Sequence, residues 1–292
     1  MIREGLGLLL ALVFCLFRSA DAGAAEAKND LVERGQYIFS LAGGCACHSA
    51  PKGTPHAGAR EFPIPMAKIY STNLTADKET GLGGWSDQQI HDAVVKGIGP
   101  NGERLIPAMP YEAYSGMAQE DLKALIAYLR TLKPVRKENV RPPARVRFFR
   151  PVVTPLWLKL FGRFYDSPSE APKSGVERGR YLADHVALCS DCHTPRNFIG
   201  VPQRSLYLAG AKKSPLGEEI PNITPDKGTG IGDWSRNDIA ELLLTGVKPD
   251  SDNVQGLMEE VVEAGYKNMK REDALAIADY LKSIPPIKNK IK

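Results

Sequence analysis

Cys189-Ser190-Asp191-Cys192-His193 is a complete C-x-x-C-H. In this pattern two thiols add to the vinyl groups of a haem, and the adjacent imidazole takes one axial position on its iron. The spacing has a physical reason: on helical backbone, residues three apart share a face and residues two apart do not. Cys189 and Cys192 can therefore reach one porphyrin edge together, with His193 turning under the metal. A shorter copy, Cys45-Ala46-Cys47-His48, lies 145 positions earlier. Cys47 keeps its place before the histidine, but the position three before it is Gly44, and Cys45 falls on the wrong helical face. Two outcomes follow. Either the flexible Gly43-Gly44 backbone bends Cys45 to the second vinyl, or the first haem hangs by a single thioether at Cys47. The face argument leans to the single bond.

The two motifs sit at matching places in an internal repeat. Glu33-Arg34-Gly35-Gln36-Tyr37 recurs as Glu177-Arg178-Gly179-Arg180-Tyr181. The Gly-rich stretch from Asn73 to Trp85 recurs from Asn222 to Trp234, and Ala127–Leu132 recurs as Asp279–Ile284. The expected organisation is a signal peptide at 1–24, one module at 25–135, a linker at 136–174 and a second module at 175–292. Both Asn-Leu-Thr and Asn-Ile-Thr fit the glycosylation pattern. Their repetition inside a Gly-rich loop favours a structural turn that covers a haem edge.

A chain of 292 residues with a formal net charge of +4 suits two ordinary domains and gives no footprint for nucleic acid. Leu6–Phe17 is an apolar core followed by Ala20-Asp21-Ala22, an A-x-A cleavage pattern, so the chain is expected in the periplasm. Cys15 leaves with that leader. The four remaining cysteines come as two close pairs, each ending in His. A disulfide framework has no use for that histidine, and a zinc site would need ligands from two distant repeats.

Each module reads as helices separated by long loops. Asp30, with Glu33 three residues on, is expected to cap the first helix. Ser86 with Gln89 forms a capping box for Asp87–Lys96, and Gly97 suits its stop; Ser235 and Gly246 bracket the equivalent helix. The closing helices are expected over Gln119–Leu132 and Arg271–Ile284 on apolar periodicity. In the linker, Pro151 and Pro155 are expected to break any long helix, and Arg150, Lys159 and Arg163 argue against a membrane span. The plain reading is a strap packing its aromatics across both modules. The sharper one is a docking patch of Trp157 with Leu156, Leu158, Leu160 and Phe161 for a partner protein or membrane surface.

A His-ligated haem leaves its other axial position open, and a methionine thioether there raises the reduction potential of an electron carrier. Met109 and Met258 each lie 24 residues after the repeated tryptophan, and 61 and 65 residues after their histidines. They are the expected ligands. Met117 and Met269 read as packing and Met66 as loop or core. His56, His91 and His185 read as structural, with His185 able to line a haem pocket. No Ser/His/Asp or paired-carboxylate constellation stands out.

Taken together, E-R-G-x-Y, C-x-x-C-H-T-P-R-N (Cys189 to Asn197), N-I-T-P-D-K-x-T-G-I-G-x-W (Asn222 to Trp234) and the downstream Met resemble the cytochrome c subunits of bacterial membrane-bound alcohol, gluconate and related sugar dehydrogenases. The resemblance implies an all-α chain of two tandem cytochrome c-like helical domains, with long loops around covalently bound haem. It implies two haem c, attached at Cys45, Cys47, Cys189 and Cys192 and ligated by His48, Met109, His193 and Met258. It further implies electron transfer from a dehydrogenase donor toward a cytochrome or oxidase acceptor, with no substrate chemistry in this chain. Those subunits carry three haem modules and a C-terminal anchor. This sequence has two and ends in Ile-Lys-Asn-Lys-Ile-Lys, so a free periplasmic di-haem carrier is the expectation. The alternative is a di-haem enzyme, peroxidase-like or thiosulfate-oxidising, with an open or labile position at the first, altered site.

Overall fold

The structure is a computed structural model and describes residues 26–64, 67–212 and 217–291; the signal segment and Met66 lie outside them. The chain is mostly helical. Helix α1 covers 26–41 and leads into a 3-10 turn, Gly43–His48. After a long loop come α2 (Asp87–Lys96), α3 (Tyr111–Tyr114) and α4 (Gln119–Leu129). Helix α5 spans Ala144–Phe161. The second half repeats the order: α6 (Gly175–Tyr181) running into a π-helical turn at Leu182–Val186, α7 (Cys189–His193), α8 (Arg236–Thr245), α9 (Leu257–Ala264) and α10 (Arg271–Ser283).

Local chemistry explains most of these boundaries. Ser86 accepts from Gln89 N while Gln89 caps back, and Gly97 ends the helix at φ 62°. Ser235 and Asp238 repeat the box, and Gly246 stops α8 at φ 78°. The closing helices end three residues and one residue short of expectation. Met117 and Met269 are buried beside their starts, as core filler.

Three expectations are corrected. Helix α1 is already helical at 26, so Asp30 lies inside it rather than capping it; Glu26, Ala27 and Lys28 are all good helix formers. The described residues are not purely helical, because Glu61–Ile64 pairs antiparallel with Ala67–Tyr70 in a small hairpin, held at its open end by Glu61 with Lys68 and Tyr70. Finally, α5 runs straight through Pro151 and Pro155. Each proline removes one i→i−4 bond, but their spacing of four puts both on one exposed flank, where water can take up the freed carbonyls.

The halves close on one continuous core that includes Ile38, Leu41 and Leu122 from the first and Leu182, Val186 and Ile277 from the second. The E-R-G-x-Y repeat supplies the joint. Gly35 and Gly179 let α1 and α6 touch the closing helix of their own half: a β-carbon there would stand 1.9 Å from Ala124 O and 1.8 Å from Ala276 O. Arg34 bonds Asp121 at 2.7 Å, and Arg178 bonds Asp273 at 2.9 and 2.8 Å, each within its own half. The tyrosines cross over. Tyr37 donates to Asp273 at 2.7 Å and accepts from Lys270 N, whereas Tyr181 donates to Asp121 at 2.6 Å and accepts from Ala118 N. The two halves thus exchange identical contacts.

Candidate haem attachment sites

In the second half the π turn widens α6 by one residue, with Ala187 N donating to Leu182 O. Leu188 then turns left-handed at φ 56°, and α7 starts at Cys189. One helical turn carries Cys189, Cys192 and His193. Cys189 is half-buried against the core and Cys192 exposed. In the first half the missing residue is made up by backbone shape. Gly43, Gly44 and Cys45 are all left-handed, with φ of 65°, 60° and 48°. The run brings Cys45 to the burial that Cys189 has, half-buried against the same core, and leaves Cys47 exposed like Cys192. Burial pushes both inner thiols, Cys45 and Cys189, up to about 12, so they stand as protonated thiols. None of the four described cysteines forms a disulfide, and no metal cluster of His, Cys and carboxylates occurs among the described residues.

The two histidines are held alike. His48 Nδ1 lies 2.7 Å from Thr72 O and His193 Nδ1 lies 2.8 Å from Pro221 O. Opposite a carbonyl, Nδ1 must be the donor, which leaves Nε2 as a lone-pair ligand. Burial holds both imidazoles below their ordinary range, against the opposing carbonyl bond, so they are neutral. Thr72 and Pro221 directly precede the repeated Asn, and the loop behind them is built identically. Buried Asn73 donates to Val135 O and accepts from Thr75 N and Oγ1; buried Asn222 donates to Ile287 O and accepts from Thr224 N and Oγ1. These asparagines are therefore structural, and their loops position the histidine-holding carbonyl.

Met109 sits in a tight turn before α3, its N–H on Ile106 O, and Met258 is the second residue of α9. Both are half-buried and border the same core as Cys45 and Cys189. The helices at these methionines also pack on the opposite half: α9, which holds Met258, on the Gly43–His48 turn, and α3, which follows Met109, on the π turn before α7. A β-carbon on Gly44 would stand 2.3 Å from Ala264 O. Arg60 ties that contact with a bidentate pair to Glu260, at 2.5 and 2.7 Å, and with a bond to Ala46 O. Spacing gave no hint of Arg60, Glu260, Asp121 or Asp273; the E-R-G-x-Y repeat marked the neighbourhood of Asp121 and Asp273 alone.

The remaining histidines separate. His185 bonds Ala113 O at 2.8 Å across the halves, a structural role. His91 pairs with Asp92. His56 edges onto Phe39 at 5.0 Å, and its Nδ1 is the buried side-chain polar atom without a partner among the described residues. Its backbone N–H bonds Oγ of Ser49, the residue after His48, at 2.9 Å, so a polar group bound at this site would satisfy it. A free thiol pair, a neutral imidazole with Nε2 open and an orphaned polar atom beside it fit a haem. In the second half, thiols and imidazole repeat.

Mostly helical halves of this kind, with such motifs, define a c-type cytochrome. Residues 32–133 match the cytochrome c family model. The chain is 36% identical over 95% of its length to the fructose dehydrogenase cytochrome subunit of Gluconobacter japonicus. It is 36% identical over 94% to the gluconate 2-dehydrogenase cytochrome c subunit of Pantoea cypripedii. It spans 57% and 64% of the lengths of those two relatives. A diheme cytochrome c-type protein of Cereibacter sphaeroides is 35% identical over 87% of this chain and 86% of its own. The chain belongs to this family of cytochromes c, and the family match implies covalently bound haem c. No helix among the described residues is long and apolar enough to cross a membrane.

Proposed function

We propose that this chain is a periplasmic di-haem electron carrier. Two cytochrome c modules, 25–135 and 175–292, are bridged by 136–174; electrons come from a partner dehydrogenase and go toward a cytochrome or oxidase. Bound haem supplies a one-electron iron couple. The chain's residues hold it: Cys189 and Cys192 by thioethers in the second half, Cys45 and Cys47 in the first, with His48 and His193 ligating through Nε2. Met109 and Met258 would supply thioether ligands to the iron, a ligand type that would raise its potential. The observation that carries this reading is the identical clamp on His48 and His193, each with Nδ1 on the carbonyl before the repeated Asn. A half that had lost its haem would have no use for that clamp.

We further read Cys45 as bonded, through the left-handed Gly43-Gly44-Cys45 run, in place of a single bond at Cys47. The test is the exported, haem-loaded protein. Its mass is expected to exceed the processed chain by two haems, and its oxidised spectrum to show the near-infrared Met–iron band. After denaturation and iodoacetamide, the tryptic peptide from Gly35 to Lys52 is expected to carry haem and no alkyl group. One haem, or no Met–iron band, would sink the di-haem His/Met reading. An alkylated Cys45 would sink only the second thioether.

A further inference from the structure

Between Asn139 and Phe164 the chain has six Arg and Lys and no Asp or Glu. Helix α5 fills most of this stretch and carries two apolar faces. One turns inward: Thr154 is buried, and Trp157 Nε1 donates to Ile199 O at 2.9 Å. Beyond the helix, Arg163 N bonds Glu112 and Tyr165 N bonds Ser115, so α5 is fixed against the body and cannot tuck its other face away. Trp157 and Leu158, expected in an outward patch, belong partly to this inner side. The outward face is Phe148, Phe149, Val152, Val153, Leu156 and Leu160, all exposed, with Phe148 at 77%. The turn held by Trp157 adds Phe198, 88% exposed.

We propose that this face of α5 seats on an anionic phospholipid surface. Among the described residues, Arg145, Arg147 and Lys159 have no carboxylate partner, and on a helical wheel Arg145 and Lys159 fall within the apolar sector. Their long stems let the charge reach outward while the apolar surface is covered. This is the composition of a helix lying in the headgroup plane, apolar face sunk about 5–10 Å and cations on phosphates. A protein partner is the poorer fit. Protein interfaces carry about one hydrogen bond per 100–200 Å², and beyond its cations α5 presents no polar side chain outward, its one hydroxyl, Thr154, being buried. Non-directional contact with a negative charge behind it is what acyl chains under anionic headgroups offer.

The test is co-sedimentation of the full haem-loaded protein with vesicles of phosphatidylcholine alone, or with a third phosphatidylglycerol. Binding is expected at least tenfold stronger to the anionic vesicles and weakened by salt. It is expected to fall at least fivefold in Phe149→Ser/Leu156→Ser and in Arg145→Gln/Lys159→Gln. All four side chains are exposed, so both variants should melt like the parent, and the haem spectrum checks this. Absence of binding to anionic vesicles overturns the proposal. So does equal binding of parent and variants, which would assign the membrane contact to another segment. If the variants instead lose only capture by a dehydrogenase partner, the occupant is an acidic protein surface and the lipid proposal fails.

Discussion

Gly44 carries more constraint than its size suggests. It is left-handed at φ 60°, and a β-carbon would enter the Ala264 carbonyl at 2.3 Å. Both demands come from the same event, the close seating of α9 on the shortened cysteine motif. Gly44→Ala is therefore expected to destabilise the protein by about 1–3 kcal/mol through overpacking, with the cost of a left-handed Ala added. Urea unfolding followed by far-UV circular dichroism would measure it. A change under about 0.5 kcal/mol, within the range of ordinary surface substitutions, would mean the α9 contact is loose.

At the scale of elements the halves are alike in frame and unlike in lining. The π turn brings Asp184 beside Cys189, where Tyr207 from the following loop and Tyr280 from α10 both donate to it. Burial raises its pKa, against those hydrogen bonds. The matching position in α1 is Ser40, which bonds back to Gln36 O. A carboxylate thus lies beside Cys189, and the equivalent position of the first half carries a hydroxyl in its place. At a pH above the raised pKa of Asp184, Asp184→Asn is expected to raise the reduction potential of the second haem by on the order of tens of millivolts, through removal of a nearby negative charge, and to leave the first unchanged. A spectroelectrochemical titration resolving two waves would check this; movement of both waves, or of neither, contradicts it.

For the whole molecule, the exchanged tyrosines tie the two halves together. Burial pushes Asp273 up, but Arg178 and Tyr37 outweigh it and hold the carboxyl below its ordinary value. A folded pKa below the unfolded one contributes stability that is complete above the unfolded value of about 4 and lost as pH falls through the folded value. Unfolding free energy is therefore expected to drop on acidification below about pH 4. Asp273→Asn is expected to flatten that limb and to cost about 3 kcal/mol at neutral pH, since it leaves the largely covered Arg178 without its charge partner. An unchanged acid limb in the variant would place the pH dependence elsewhere.

Features set by neighbours in the chain were legible in the residues: the capping boxes at Ser86 and Ser235, the left-handed stops at Gly97 and Gly246, the periodic closing helices, and the cysteine–histidine motifs in register with Met109 and Met258. Each depends on a few consecutive side chains and their backbone. The strands Glu61–Ile64 and Ala67–Tyr70 were missed because each is only four residues long and without a clean alternation of buried and exposed positions. The course of α5 through two prolines was missed because exposure on one flank, not proline content, sets their cost.

The sequence by itself determined two copies of one residue pattern, each with a cysteine–histidine motif, and so which residues are expected to hold haem. Tertiary structure alone decided how the copies meet: Tyr37 finds Asp273 across 236 positions and Arg60 finds Glu260 across 200. It also decided that Cys45 is half-buried against the core, as Cys189 is. A residue pattern records the chemistry a motif requires, whereas the backbone that delivers a thiol one residue out of place is settled by the helix packed against it.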